Sequence, residues 1–348
     1  MQINFGLHFL LLNTEHRTQN TEHRTQNTEH LKKLNFSLII PVYNRPKEID
    51  ELLESLIQQT YSEDFQVLII EDGSSEKSEL IVEKYKSKLN LKYFFKENSG
   101  AGASRNFGMQ KASGNYFIVL DSDVIVPEHY LSEVAKTLQT NYTDAFGGPD
   151  AAHKNFTILQ KAINYSMTSV LTTGGIRGKK KAVGKFQLRS FNFGLSKIAF
   201  EKTQGFSKMK NGEDIDLTFR LWENNFETQL IETAFVYHKR RSSIPQFFKQ
   251  TFGFGTARPI LNRKYPTSAK ITYWFPGVFI VGFTLSILLA LFGSLTLFSC
   301  YYLYFLALFF DSLFKNGVSV AVLSIITSLT QFFGYGLGFL QSQFLRKK

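Results

Sequence analysis

The chain has 348 residues, 43% of them apolar, which is enough for two or three domains with packed cores and excludes disorder throughout. Lys and Arg number 40 against 29 Asp and Glu, and the formal charge of +11 favours an anionic partner such as phosphate, nucleic acid or a membrane surface. A single cysteine, Cys300, excludes an internal disulfide framework and any cysteine-rich zinc site.

Residues 1–34 read as a disordered segment. From Asn13 to His30 they repeat NTEHRTQ, with no apolar position from which a coiled-coil seam could form. Phe5–Leu12 is apolar but short, and it lacks the preceding basic residue and small-residue cleavage pattern of a signal peptide.

A regular pattern begins at residue 35 and defines a domain over 35–237. Phe36–Pro41 predicts a strand, and Pro46–Gln59 a helix with Ile49, Leu52, Leu53, Leu56 and Ile57 at helical spacing. Phe65–Ile70 predicts a second strand, Glu76–Lys88 a helix, Leu91–Phe95 a strand, Gly102–Ala112 a helix and Tyr116–Leu120 a fourth strand. Apolar strands alternating with helices imply an α/β fold whose mostly parallel sheet is covered on both faces. Such sheets bind ligands beyond the carboxyl ends of their strands.

Those strand ends carry the chemistry. Asp121 and Asp123 flank Ser122 just past the fourth strand, so two hard oxygen ligands share one face, an arrangement that suits Mg2+ or Mn2+. Asp72, in Asp72-Gly73-Ser74, either forms a local turn or accepts a hydrogen bond from a nucleotide base or ribose lying across the strand ends. Asn98–Asn106 reads NSGAGASRN: its small residues permit close backbone approach, and Arg105 offers a guanidinium to phosphate or to the acids nearby. Farther on, Glu213, Asp214 and Asp216 open a segment in which Ile215, Leu217, Phe219 and Leu221 supply apolar surface; acids at a helix start satisfy the same pattern. His238 follows a short apolar run, either as a structural histidine or completing a metal shell or touching phosphate.

Two stretches are basic and free of acid. Gly174–Arg189 (GGIRGKKKAVGKFQLR) lies between the Asp121/Asp123 pair and Asp214, where a loop could close over substrate or receive an anionic acceptor. His238–Lys270 has eight cations accompanied by Phe247, Phe248, Phe252 and Phe254, so 238–272 is expected to be a basic amphipathic segment lying on anionic lipid. Nucleic acid is a poor partner, because the lysines are not interleaved with aromatic stacking platforms.

From Tyr273 to Leu340 the only charged residues are Asp311 and Lys315. The 21 uncharged residues Tyr273–Gly293 would span about 31 Å as a helix, the thickness of a bilayer's hydrocarbon core. Leu295–Phe310 and Val318–Leu340 are further spans, so 273–348 is expected to cross the membrane two or three times. Lys and Arg ahead of the first span place the preceding domain in the cytoplasm, at a cell inner membrane. A third crossing leaves Arg346-Lys347-Lys348 on the opposite side, against the same rule, so the number of crossings stays open.

The stretches SLIIPVYNRP (37–46), VLIIEDGSS (67–75), ENSGAGASRNFGMQKASGNYFIVLDSDV (97–124), SFNFGLSK (190–197) and GEDIDLTFRLW (212–222), in this order and spacing, resemble glycosyltransferase family 2, whose members have the GT-A fold and use nucleotide sugars. The resemblance implies that Pro41, Tyr43 and Asp72 hold base and ribose, that Arg105 lies near the nucleotide, and that Asp121 and Asp123 bind metal and sugar phosphate. It implies Asp214 as the catalytic base of an inverting transfer, with Glu213 beside it on the acceptor side. The processive members' Gln-x-x-Arg-Trp motif is missing; the corresponding region reads FKQTFGFGTARP. The expectation is therefore a distributive enzyme that moves a sugar, UDP-linked in the commonest case, onto a membrane-held, lipid-linked saccharide in cell-surface polysaccharide synthesis. A polyprenyl-phosphate glycosyltransferase and a non-catalytic sugar-nucleotide-binding membrane scaffold are the alternatives.

Overall fold

The computed structural model describes residues 33–151, 155–173 and 186–344. The repeat, most of the lysine-rich Gly174–Arg189 stretch and Arg346-Lys347-Lys348 lie outside the described residues. In chain order the first half comprises β1 (Phe36–Val42), α1 (Pro46–Ile57), β2 (Gln66–Asp72), α2 (Glu79–Glu83), β3 (Asn90–Lys96), α3 (Ala101–Lys111), β4 (Tyr116–Leu120), β5 (Val124–Ile125) and α4 (Tyr130–Thr140). There follow β6 (Ala145–Gly147), β7 (Asp150–Ala151), α5 (Ile158–Thr168), α6 (Val170–Thr173), β8 (Asn192–Ser196), α7 (Lys197–Thr203), α8 (Glu213–Glu223), β9 (Thr228–Leu230) and β10 (Val236–His238). The rest is helical: α9 (Ile244–Lys264), α10 (Phe275–Leu291), α11 (Thr296–Asn316) and α12 (Val318–Phe344).

Seven strands form one sheet in the order β3-β2-β1-β4-β8-β6-β9. The β1–β2, β2–β3 and β1–β4 pairs are parallel, while β8 runs antiparallel between β4 and β6, so the sheet is mixed but mostly parallel. The period of two along each strand divides the apolar residues between two cores. Leu38, Ile40, Val67, Ile69, Tyr116, Ile118 and Leu120 face the core shared with α1 and α4. Ile39, Leu68, Ile70, Phe117 and Val119 face the other core, which α3, α7 and α8 close. A sheet buried on both faces leaves the strand ends as the place where polar side chains can gather.

The helix expected over Glu76–Lys88 is only Glu79–Glu83, and i to i+3 turns continue to Lys88. Its apolar stripe is too short to hold more, since Leu80 is exposed and only Val82 and Tyr85 are buried. A small second sheet, β5-β10-β7, sits beside the main one, with His238 opposite Val124 across an antiparallel pair.

Helix α9 differs from the expectation of an element laid on lipid. Phe247 is fully buried against Ile163 and Met167 of α5, and Leu261 packs on Ile215 and Phe219 of α8. Its remaining flank meets α12 through small residues: a Cβ on Gly338 would sit 2.3 Å from the Phe252 carbonyl oxygen, and one on Gly255 would sit 2.1 Å from the Tyr335 carbonyl oxygen. Such glycines let helix backbones approach closely, as in membrane helix pairs.

Three helical stretches, Ile271–Leu291, Thr296–Asn316 and Val318–Phe344, are long and apolar enough to cross a membrane. The first two expose most of their side chains, among them Val278, Val281, Leu288, Tyr302 and Leu303. By contrast α12 is gripped by its neighbours. Thr327 Oγ1 lies 2.6 Å from Ser166 Oγ of α5, and Ser324 Oγ lies 2.9 Å from Ser312 Oγ of α11. The Gly338→Val variant should force α9 and α12 apart and cost about 1–3 kcal/mol of stability. The check is the thermal unfolding midpoint of the detergent-purified protein, expected to fall by several degrees.

Candidate active site

The site assembles where β1, β2 and β4 end and α3 and α8 begin. A cleft of 2260 Å³ is lined there by Pro41, Tyr43, Asp72, Arg105, Asp121, Asp123, Glu213, Asp214 and His238, all the site residues that the sequence singles out.

Asp121 and Asp123 leave the tip of β4, and β10 delivers the imidazole to them. Pairing of His238 with Val124 and a hydrogen bond from the Lys239 amide to the Asp123 carbonyl (3.0 Å) fix that register. Consequently His238 Nε2 stands 3.3 Å from Asp123 Oδ1, and one ligand atom each from Asp121, Asp123 and His238 falls within 4.8 Å of the others. The ring of Phe191 stacks on His238 at 4.8 Å, and His238 Nδ1 is buried without a hydrogen-bond partner. Two carboxylates and an imidazole suit Mn2+ or Mg2+, with the nitrogen ligand better matched to Mn2+. Burial alone would push the Asp123 carboxyl upward, but the opposing charges of His238 and Arg45 hold it well below the usual carboxylate range.

Arg45 joins this group although nothing in its local sequence marks it. Its Nη1 bonds Asp123 Oδ2 from the loop after β1. The residue lies inside the SLIIPVYNRP stretch, two residues beyond Tyr43.

Arg105 projects from the second turn of α3. That helix lies tight on the sheet because it carries glycine at 108, where a Cβ would sit 2.4 Å from Ile39 Cγ2. The buried guanidinium gives one bond to Asp121 Oδ1 (2.7 Å, from Nη2) and one to Glu213 Oε1 (3.2 Å, from Nη1), and its Nε is buried without a partner. It therefore ties the end of β4 to the start of α8, two segments far apart in the sequence. Burial and the neighbouring Asp214 charge raise Glu213 above its ordinary value, with Arg105 opposing them.

Gly212 caps α8 at φ +78°, a left-handed conformation that glycine adopts without strain. The chain turns there so that Glu213 and Asp214 occupy the first helical turn, where the helix dipole favours carboxylates. Asp214 Oδ2 accepts the Ser190 amide at 3.2 Å, which fixes one oxygen.

Asp72 is engaged by its own chain. Its Oδ1 accepts from Lys96 Nζ and from the Ser99 amide (2.9 Å), and its Oδ2 from the Gly100 amide (2.9 Å). The carboxylate thus clamps the loop ahead of α3, and these donors keep it below its ordinary value despite burial. Tyr43, 54% exposed, stands free at the rim of the cleft, where a flat ring can be covered.

Residues 37–205 match the family described as Glycosyl transferase family 2. Poly(ribitol-phosphate) beta-N-acetylglucosaminyltransferase TarS of Staphylococcus aureus is 36% identical over 114 residues, 32% of this chain and 20% of that protein. Chondroitin synthase of Escherichia coli is 26% identical over 262 residues, 66% of this chain and 38% of that protein. This chain therefore spans a minor part of the length of these relatives. The structure of mannosyltransferase PcManGT from Pyrobaculum calidifontis, in complex with GDP-Man and Mn2+, superposes with a TM-score of 0.56 at 14% identity, over 97% of this chain and 98% of that one. At that identity the likeness is one of fold, and it confirms the GT-A architecture.

Asp216, one turn into α8, is fully buried and accepts from Arg220 Nε (3.0 Å), Lys264 Nζ (2.5 Å) and Tyr265 Oη (2.9 Å). Burial raises its carboxyl, but Lys264 and the other donors prevail and hold it below its ordinary value. Asp216→Asn should cost about 3 kcal/mol, because a buried pair loses one partner. The depressed value sets the sign of the pH dependence: the contribution is complete above the unfolded value near 3.9 and is lost as pH falls through the folded one. Denaturation curves at about pH 7 and about pH 3 should therefore differ more for the parent protein than for the variant.

Proposed function

Through residues 37–205 the chain belongs to glycosyl transferase family 2, and from that premise we propose an inverting transfer of a sugar from a nucleotide-diphosphate donor to a membrane-held saccharide acceptor. The observation that carries the proposal is that Asp121, Asp123 and His238 converge in the same cleft as Asp214. The donor is proposed to be a UDP-sugar, in keeping with the N-acetylglucosaminyl transfer in TarS's name. Both that name and that of chondroitin synthase describe polymeric glycan chemistry, which supports a role in cell-surface polysaccharide synthesis.

In the proposed step the acceptor hydroxyl gives its proton to Asp214 while its oxygen bonds the anomeric carbon. The bond from that carbon to the donor's phosphate oxygen breaks, and the nucleoside diphosphate leaves with the electron pair. Attack comes on the face opposite the leaving group, so one base suffices and the configuration inverts. Asp214 Oδ2 accepts the Ser190 amide and Oδ1 the Ile215 amide, so two backbone donors orient the carboxylate and each oxygen keeps a lone pair to meet the hydroxyl. Asp121, Asp123 and His238 would hold Mn2+ or Mg2+, which when bound offsets charge developing on the departing diphosphate. Arg45 and Arg105 bring guanidinium groups to the same wall, and Arg105 keeps one nitrogen unpaired for an anion.

Pro41 and Tyr43 are proposed to border the base, with Asp72 acting through the loop it clamps. Glu213, held by Arg105, is proposed to face the acceptor side. The cleft-lining cations Lys249 and Arg258 of α9 and the three apolar helices support an acceptor presented from a membrane, with this domain on the cytoplasmic side of the inner membrane. The cations at the membrane end of the cleft also favour the polyprenyl-phosphate alternative, in which the acceptor nucleophile is already an anion.

Asp214→Asn should lower sugar transfer to hydroxyl acceptors by about 10²–10⁴-fold, the range of a lost general base. Asp123→Ala should abolish the stimulation of nucleotide release by Mn2+ or Mg2+. The measurement is nucleotide release across a donor panel with membrane extract, with and without chelator. Full activity of Asp123→Ala in chelator would remove the metal from the mechanism, and turnover absent with every donor would favour a binding scaffold.

A further inference from the structure

The cleft continues past the candidate base toward the apolar helices. Gly212 is the joint: a Cβ placed there would sit 3.2 Å from Ala257 Cβ, so the turn of α9 that carries Arg258 abuts the start of α8. Arg258 lines the cleft, yet it is only 8% exposed and its Nη1 is buried without a hydrogen-bond partner. The guanidinium carbon lies 4.2 Å from the centre of the Tyr273 ring, which holds the group in place without neutralising it. A desolvated cation with an unmade hydrogen bond is costly to fold, and an anion supplied from outside removes that cost.

The surroundings say which anion. From Gln246 to the last lining residue the described wall contains Lys249, Arg258 and Lys270 and no carboxylate. The same wall includes Trp274 and Val278 at the start of the first apolar helix, and Gln331 and Tyr335 on α12. Cationic and apolar surfaces therefore meet within one cavity, on the side nearest the membrane candidates, a few residues from Asp214. A soluble anion would use the cations and leave the apolar rim idle. A phosphorylated lipid uses both.

We propose that Arg258 binds the phosphate or diphosphate of a lipid-linked acceptor, whose hydrocarbon lies along α10 and α12 and whose sugar is thereby directed toward Asp214. This rests on the glycosyltransferase reading above and names the acceptor's recognised group. Arg258 is a binding residue here, with no part in the bond-making step.

The test uses the full chain purified in detergent and three probes: farnesyl diphosphate, farnesol and inorganic pyrophosphate. Farnesyl diphosphate should bind at least about tenfold tighter than either of the others, since it alone engages charge and rim together. Arg258→Gln should bring its affinity down to that of farnesol, and Arg258→Lys should retain part of the preference because the charge stays while the fork is lost. Should Arg258→Gln fail to fold, Lys270→Gln at an exposed position of the same wall should lower farnesyl diphosphate affinity by about two- to fivefold. Equal binding of farnesol overturns the proposal, as does unchanged affinity in the variants. Pyrophosphate binding as tightly as the lipid also overturns it, and would assign Arg258 to the donor's leaving group. No sugar donor enters these measurements, so a failure of transfer in the donor panel counts against the functional reading and leaves this result to stand or fall separately.

Discussion

A buried guanidinium holds the site together. Arg105 joins Asp121, at the end of the fourth strand, to Glu213, at the start of a helix far away in the chain, and its own burial makes both contacts hard to exchange for water. The acids gathered here would repel one another if they stood alone. The fold answers by interleaving cations: Lys96 on Asp72, Arg45 on Asp123 and Arg105 between the two halves. Each carboxylate is thereby held in a fixed place before any substrate arrives, and such preorganisation is what electrostatic catalysis requires of a site.

Much of this was legible because it depends on period and position along the chain. The alternation of Ile39 and Leu38, or of Phe117 and Ile118, between opposite cores follows from strand geometry, so strands and their exposed ends could be read from the residues. Asp121 and Asp123 stand out for the same reason. What could not be read was pairing between distant segments. Nothing local to His238 says that its strand will lie antiparallel to Val124, and the antiparallel insertion of β8 into the sheet is equally a matter of tertiary register. Asp72 illustrates a third kind of gap: Lys96 and the amides of Ser99 and Gly100 take up its oxygens, and those partners become neighbours only when β2 and β3 pair.

The basic segment after His238 shows how composition misleads when a helix has more than two surroundings. Cations beside phenylalanines suggest a membrane surface, yet α9 turns one flank to α8, another to α5 and a third to the glycines of α12. Its hydrophobic residues are used in protein contacts, and much of its charge is used there too, as when Lys264 reaches Asp216. An element with so many contacts behaves as a spacer of fixed length.

That role bears on how an acceptor can be presented. Leu261 and Tyr265 fasten α9 to the helix carrying Asp214, while Gly255 packs against α12, one of the three stretches suited to a bilayer. The height of the candidate base relative to those apolar helices is then set by the packing of one helix and owes nothing to a flexible tether. A soluble saccharide would gain nothing from such rigidity, because it can diffuse to the base at any height. For an acceptor confined to a surface, a fixed height removes one of the searches that transfer would otherwise need, in the same sense that any bound orientation lowers the entropy cost of reaction. The contacts that make α9 rigid are thus what link the Asp121, Asp123 and His238 end of the cleft to the end beside the apolar helices.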